Sequence, residues 1–227
     1  KLDHNRKMPI PVQPEALDCI DHYLITHIHS DHCDPETIGP ILRNNQKVRF
    51  YGPPAIRPKV IDNFAVDAGR FHFLSSDKEY QLTPSIRLYA IPAAHEELEK
   101  DANGEYTAFS YLLLFDDLKK AVFFGGDTIP FAGQSKLIRE HVPSEYNLTL
   151  ALPVNGRDEA RAKLGFKGNL TLDEAIELYH QCKGNLLAPC HWGMFALNDL
   201  QTQLTTAYFA ERGCQPVIPE MLTEITL

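Results

Sequence analysis

The stretch Thr26-His27-Ile28-His29-Ser30-Asp31-His32, directly behind the apolar run Tyr23-Leu24-Ile25, constrains this chain more than any other. Four side chains that can ligate a metal lie where a strand must end. In an extended segment residues i and i+2 project to the same side, so His27 and His29 can reach one ion together. Asp31 and His32 follow where the chain turns, and can face a second ion beside the first. Imidazole and carboxylate ligands suit zinc, manganese or iron, and the sequence does not choose among them. The pattern asks for a strand that opens on a site, and for other strand ends that bring further ligands to it.

Such ends recur. After the first strand, Asp34-Pro35 opens a helix reaching about Asn44, with the proline in its first turn. Lys47 to Tyr51 reads as a strand and Ala55 to Phe64 as a helix. Strand-like runs follow at Phe71 to Leu74, Tyr80 to Leu82, Ile86 to Ile91, Ala108 to Phe115 and Lys120 to Phe124, with Asp116-Asp117 as a hairpin turn. Then come a helix over Ser135 to His141 and a strand over Leu148 to Leu152. A helix over Leu172 to Cys182 starts in a Thr171/Glu174 capping box. Last are a strand over Asn185 to Ala188 and a helix over Asp199 to Glu211, with Asn198 as N-cap and Gly213 past its end. This alternation predicts an α/β class with mixed sheets under outer helices. No repeat or linker divides residues 1–227, so one domain is expected.

Bulk properties narrow the partners. A net charge of −8 without basic runs argues against nucleic acid. No stretch approaches the ~20 apolar residues of a membrane span, and Lys1 to Ile10 does not read as a signal peptide. Cys19, Cys33, Cys182, Cys190 and Cys214 are widely spaced, without a Cys-x-x-Cys pair, as expected of a reduced, cytoplasmic protein. Cys33 and Cys190 adjoin His32 and His191, and read as buried spectator thiols.

Three further ligands stand behind strands. His95 follows Ile86 to Ile91. Asp127 follows Val122-Phe123-Phe124 in Gly125-Gly126-Asp127-Thr128, where glycine permits a tight approach of the backbone. His191 follows Leu187-Ala188 in Pro189-Cys190-His191-Trp192-Gly193. Singly, each has an ordinary explanation as a surface or turn residue. Together, in order behind His-x-His-x-Asp-His, they form a set.

That series resembles the metallo-β-lactamase superfamily, from about Tyr23 to Trp192. The resemblance implies an αβ/βα sandwich of two mixed sheets with outer helices, carrying a dinuclear site between its sheets. His27, His29 and His95 would hold one divalent ion and Asp31, His32 and His191 the other, with Asp127 bridging them. It further implies that the family's first strands and their Asp-Pro turn are missing from this chain, leaving an edge exposed or covered by a partner chain. Many relatives also place a histidine where this chain has Phe124. Leu152 to Asp158, Gly168 to Thr171 and Pro189 to Phe195 are similar to the L-ascorbate-6-phosphate lactonase branch.

Two adjacent cations can share a water and hold it as hydroxide near neutral pH. The expected reaction is attack of that hydroxide on the ring ester of a phosphorylated lactone, with Asp127 and Asp31 as catalytic carboxylates. Arg157 is the first choice for the phosphate, since a guanidinium offers it a bidentate fork. Asn155 and Lys167 are further choices, and a salt bridge of Arg157 with Asp158 or Glu159 is the structural alternative. Tyr106, Trp192 and Phe195 could wall the pocket. A phosphodiesterase of the same fold is the second reading, and a non-catalytic metal-binding or regulatory protein the third. The partner is then a small molecule, and a homo-oligomer is left open.

Overall fold

The computed structural model describes residues 6–64, 68–76, 78–200, 202–218, 220 and 223. Its first sheet is built from β1 (His22–Leu24), β2 (Arg49–Gly52) and β3 (Phe71–Phe73), joined through α1 (Pro35–Asn44) and α2 (Arg57–Phe64). Each crossover carries a helix, so all three strands run the same way. This sheet is therefore purely parallel, where a mixed one was expected.

The second sheet has six strands in sequential order: β4 (Glu79–Thr83), β5 (Ile86–Pro92), β6 (Phe109–Phe115), β7 (Lys120–Phe124), β8 (Asn147–Pro153) and β9 (Leu186–Cys190). Strands β4 to β7 are antiparallel. Strands β7 to β9 are parallel, and the connections between them carry α3 (Gln134–Arg139), α4 (Glu159–Lys163) and α5 (Leu172–Gln181). This sheet is mixed, as the sequence predicts.

Three apolar clusters stack the layers. Ile38, Ile41 and Leu42 of α1 pack with Ile25, Val48 and Phe50 on the outer face of the first sheet. Tyr51, Leu74, Leu88, Ala90, Phe109 and Tyr111 fill the space between the sheets. Ala175, Ile176, Leu178 and Tyr179 of α5 cover Leu112, Phe123 and Leu150 on the far face of the second sheet. Helix, sheet, sheet, helix is the expected sandwich. Cys33 and Cys182 sit in these cores as free thiols.

Local signals explain the helix starts. The Asp34 carboxylate accepts the Glu36 N–H at 3.1 Å, and Pro35 opens the first turn of α1. At α5 the Glu174 N–H donates to Thr171 Oγ1 at 3.2 Å while Thr171 N–H donates to Glu174 Oε2 at 2.8 Å, closing the capping box. The last helix is shorter than expected: α6 spans Thr206–Ala210 and is capped by Thr205. Asn198 ends a separate turn, Ala196–Asn198, and caps no α-helix. Asp199 explains the break, because its Oδ1 accepts the N–H groups of Gly193 and Leu200 at 2.6 and 2.8 Å and holds the segment in a turn. The stop at Gly213, in the left-handed region, agrees with expectation. Helix α4 escaped the sequence reading. Among the described residues, no helix is long and apolar enough to cross a membrane.

Strands β5, β7, β8 and β9 run in one direction, so their C-terminal ends share one edge of the second sheet. That edge meets the loop after β1. Phe109 N–H donates to Thr26 O at 2.9 Å and the Tyr111 hydroxyl to Ile25 O at 2.5 Å, tying the two sheets together there.

Candidate metal centre

Every expected ligand lies at this seam. His27 stands three residues beyond β1, His95 three beyond β5, Asp127 three beyond β7, and His191 directly after β9. The structure gathers them into two groups, His27, His29 and His95 in one and Asp31, His32, Asp127 and His191 in the other, each with ligand atoms within 4.8 Å.

In the first group His27 Nε2 lies 3.0 Å from His29 Nδ1, which is 3.2 Å from His95 Nε2. In the second, His32 Nε2 and His191 Nε2 stand 3.2 and 3.1 Å from Asp127 Oδ1, and 3.6 and 3.8 Å from Asp31 Oδ2. The other Asp127 oxygen, Oδ2, faces His95 of the first group at 3.3 Å. One carboxylate thus turns an oxygen to each group, as a bridging ligand does.

A divalent ion fits this donor set on two counts. Donors held 2.0–2.1 Å from a tetrahedral ion lie about 3.3 Å apart, close to the 3.2 Å between His29 Nδ1 and His95 Nε2 in the first group and between His32 Nε2 and Asp127 Oδ1 in the second. Asp127 is 7% exposed, and among the described residues its buried Oδ1 has no aligned hydrogen-bond donor although two imidazole nitrogens stand close by. Such an atom is costly to bury unless something else satisfies it.

At His27, His29 and Asp127 the electrostatics suit lone-pair donation. Burial, reinforced by the neighbouring His32, pushes His27 down to about 2, so its imidazole is neutral. Burial and His95 also lower His29. Burial alone would raise Asp127, but His32, His95 and His191 outweigh it and hold the carboxyl well below the usual range. For His32 burial works downward and the adjacent Asp127 carboxylate overrides it, raising the imidazole.

Thr26 belongs to the site although its role was not read from the sequence. Its Oγ1 lies 3.0 Å from His27 Nδ1 and 3.1 Å from His32 Nδ1. A hydroxyl oxygen can accept two N–H groups. Both rings then keep Nε2 free toward the ligand groups, as partners behind metal-bound histidines do. Gly126 makes room for this threonine: its φ is +58°, and a Cβ there would meet Thr26 Cγ2 at 2.8 Å. His191 is itself left-handed, with φ +59°, a strained state for a residue with a Cβ.

Two of the cavities beside the centre bear on its chemistry. One of about 410 Å³ is floored by His27, His29 and His95 and rimmed by Glu96, Glu97 and Glu99. Lys167, the lysine or arginine among its described lining residues, is ion-paired with Glu96. The other, of about 290 Å³, holds Asp31, His32, His191 and Asn198 against Trp192, Met194 and Phe195. Trp192 and Phe195 therefore wall a pocket as expected. Tyr106 packs against the core between the sheets, beneath the Lys100 ammonium.

Two of the three residues expected to hold phosphate, Arg157 and Asn155, are engaged elsewhere, and the third, Lys167, lines the cavity beside His95 in its ion pair with Glu96. Both Arg157 Nη atoms donate to Glu174 at 2.6 Å, and Nη1 also to Asn169 O at 3.0 Å. The partner is neither Asp158 nor Glu159; Asp158 pairs with Arg161 at 2.6 Å. Asn155 is 2% exposed and belongs to a chain of amides. Thr128 N–H donates to Asn169 Oδ1 at 2.9 Å, Asn169 Nδ2 to Asn155 Oδ1 at 3.0 Å, and Asn155 Nδ2 to Asn198 Oδ1 at 2.8 Å. Arg161 Nη1 donates to the same Asn198 oxygen at 3.2 Å. Asn155 thus stands one residue behind the cavity wall.

The chain belongs to the beta-lactamase superfamily domain family, which matches residues 2–192. An uncharacterized protein of Mycobacterium tuberculosis (strain ATCC 25618 / H37Rv) is 25% identical over 196 residues, covering 85% of this chain and 49% of that protein. The N-acyl-phosphatidylethanolamine-hydrolyzing phospholipase D 1 of Caenorhabditis elegans is 22% identical over 212 residues, covering 91% of this chain and 56% of the relative. The chain spans about half the length of these curated relatives. Among solved structures, Igni18, a metallo hydrolase from the archaeon Ignicoccus hospitalis KIN4/I, matches with a TM-score of 0.64 at 18% identity, over 88% of this chain and 76% of that one. This likeness shows the fold, which is that of the metallo-β-lactamases.

Proposed function

We propose that the protein is a two-metal hydrolase of ester bonds, and that the bond it cleaves is a phosphodiester. The observation that carries the reading is the meeting of both ligand groups on the two oxygens of Asp127. Divalent ions held there would supply Lewis acidity and a water acidified into the neutral range. Asp31 and Asp127 offset only part of the charge of two dications, so the centre remains positive and suits an anionic scissile group. Asp127, held ionised, orients the attacking water, whose proton passes to Asp31. Asp31, whose side chain is 47% exposed, exchanges that proton with solvent or the leaving oxygen.

The nematode relative, named for hydrolysis of a phospholipid diester, supports this choice of bond. A lactone ring is the second reading, supported by the similarity of residues 152–158, 168–171 and 189–195 to the lactonase branch. Its phosphorylated form has lost its strongest support, since Arg157 is taken by Glu174 and the cavity beside His95 is rimmed with glutamates.

Protein loaded with zinc, manganese or iron should be assayed on a chromogenic phosphodiester, a phosphomonoester and a lactone. Turnover of the diester, lost on chelation and restored by metal, is the expected result. Metal-dependent opening of the lactone alone would move the assignment to that reading. Full metal content with no turnover would leave a non-catalytic metal-binding protein.

A further inference from the structure

The geometry points to Asn198 as the uncharged donor that holds a substrate oxygen on the His191 side of the centre. This rests on the hydrolase reading of the same site. An amide has two nearly indistinguishable ends, and its orientation is set by its partners. Here both ends of the network are fixed by groups that can only donate. The Thr128 backbone N–H forces Asn169 to present Oδ1, so its Nδ2 donates to Asn155 Oδ1, and Asn155 Nδ2 in turn donates to Asn198 Oδ1. From the other side the Arg161 guanidinium, 9% exposed, also requires an oxygen at that place. With Oδ1 committed twice, Asn198 has one remaining group, its Nδ2.

That group has no partner among the described residues, and Asn198 lines the cavity shared with Asp31, His32 and His191. Arg161 Nη1 and Asn155 Nδ2 hold the side chain before any ligand arrives. A donor locked in advance loses little freedom on binding and can stabilise charge that develops on an oxygen. The ligand class follows: an acceptor oxygen of a phosphoryl or carbonyl group, whose substituent lies against the apolar wall of Trp192, Met194 and Phe195.

The sequence alone suggested an N-cap for Asn198 and a substrate contact for Asn155. The structure exchanges the roles, with Asn155 as the positioning residue that orients Asn198.

Asn198→Asp keeps an oxygen for Asn155 and Arg161 and turns the donor into an acceptor, but adds a negative charge; the neutral Asn198→Ala, which removes the donor without that charge, is therefore measured beside it. Asn155→Asp is a further variant: it keeps the bond from Asn169 but sets a carboxylate oxygen against Asn198 Oδ1. Metal content, Tm, affinity for inorganic phosphate by calorimetry and kcat/KM on the best ester should be measured for each metal-loaded protein. With metal content unchanged, both Asn198 variants should bind phosphate about 10-fold or more weakly, and kcat/KM should fall about 10²-fold. Asn155→Asp should lose phosphate affinity in the same direction although it does not line the cavity. Wild-type phosphate affinity and turnover in either Asn198 variant would overturn the assignment alone. A loaded wild type that neither binds phosphate nor cleaves any ester would overturn the hydrolase reading and this assignment with it.

Discussion

One oxygen, Thr26 Oγ1, serves an imidazole of each ligand group. Thr26→Val keeps the shape and removes the acceptor, freeing both rings to turn. Partners of this kind typically contribute 10–100-fold to metal affinity, so zinc competition against a chelating dye should show a loss of about 10-fold or more. Unchanged affinity would make Thr26 a packing residue only. Arg157 leads to the opposite expectation. Arg157→Ala strips Glu174 of a bidentate partner that is about one-third exposed, so the cost should be about 1 kcal/mol of stability by urea unfolding. Loss on phosphorylated and unphosphorylated substrates should be equal, and a selective loss on the former would restore the phosphate role. The gathering of the candidate ligands was legible because metal chemistry accepts few side chains and the strand ends announce where they stand. Arg157, Asn155 and Asn198 were not, because their partners lie 17, 14 and 43 residues away along the chain. Nothing in the neighbouring sequence encodes such a pairing.

Elements were legible where a local device sets them. The capping box of α5 and the Asp34-Pro35 start of α1 depend on residues within one turn, and both were read from the sequence. The helix expected from Asp199 was not formed, because Asp199 takes N–H groups from its own turn and from Gly193. Thr171→Ala should cost about 1 kcal/mol, the usual value of such a cap. Glu174 serves both Thr171 and Arg157, so the two losses should not add. A double-mutant cycle should return a coupling of about 0.5 kcal/mol or more, and strict additivity would show that the capping box and the ion pair act independently.

At the scale of the molecule, the alternation of strand and helix was enough to predict layers, but not that the first sheet is wholly parallel. Both sheets send ligands to one seam, so an ion there joins them. Metal that binds only the folded chain stabilises it by about 2.7 kcal/mol at a hundredfold excess over Kd. Thermal scans should show a lower Tm after chelation and recovery on adding metal; equal Tm values would argue against a bound ion at the seam. The order of the strands has a further consequence, in time. The first sheet ends at Phe73, before β4 begins at Glu79, so the halves emerge from the ribosome one after the other. His32 is made roughly 160 residues before His191. At the usual rates of synthesis, about 5–20 residues per second, that is a wait of about 8–30 s. During that interval the nascent chain displays His27, His29, Asp31 and His32 without the strand that completes the second group. Metal captured early would be held by a partial set, and full affinity would be reached only when β9 closes the sheet.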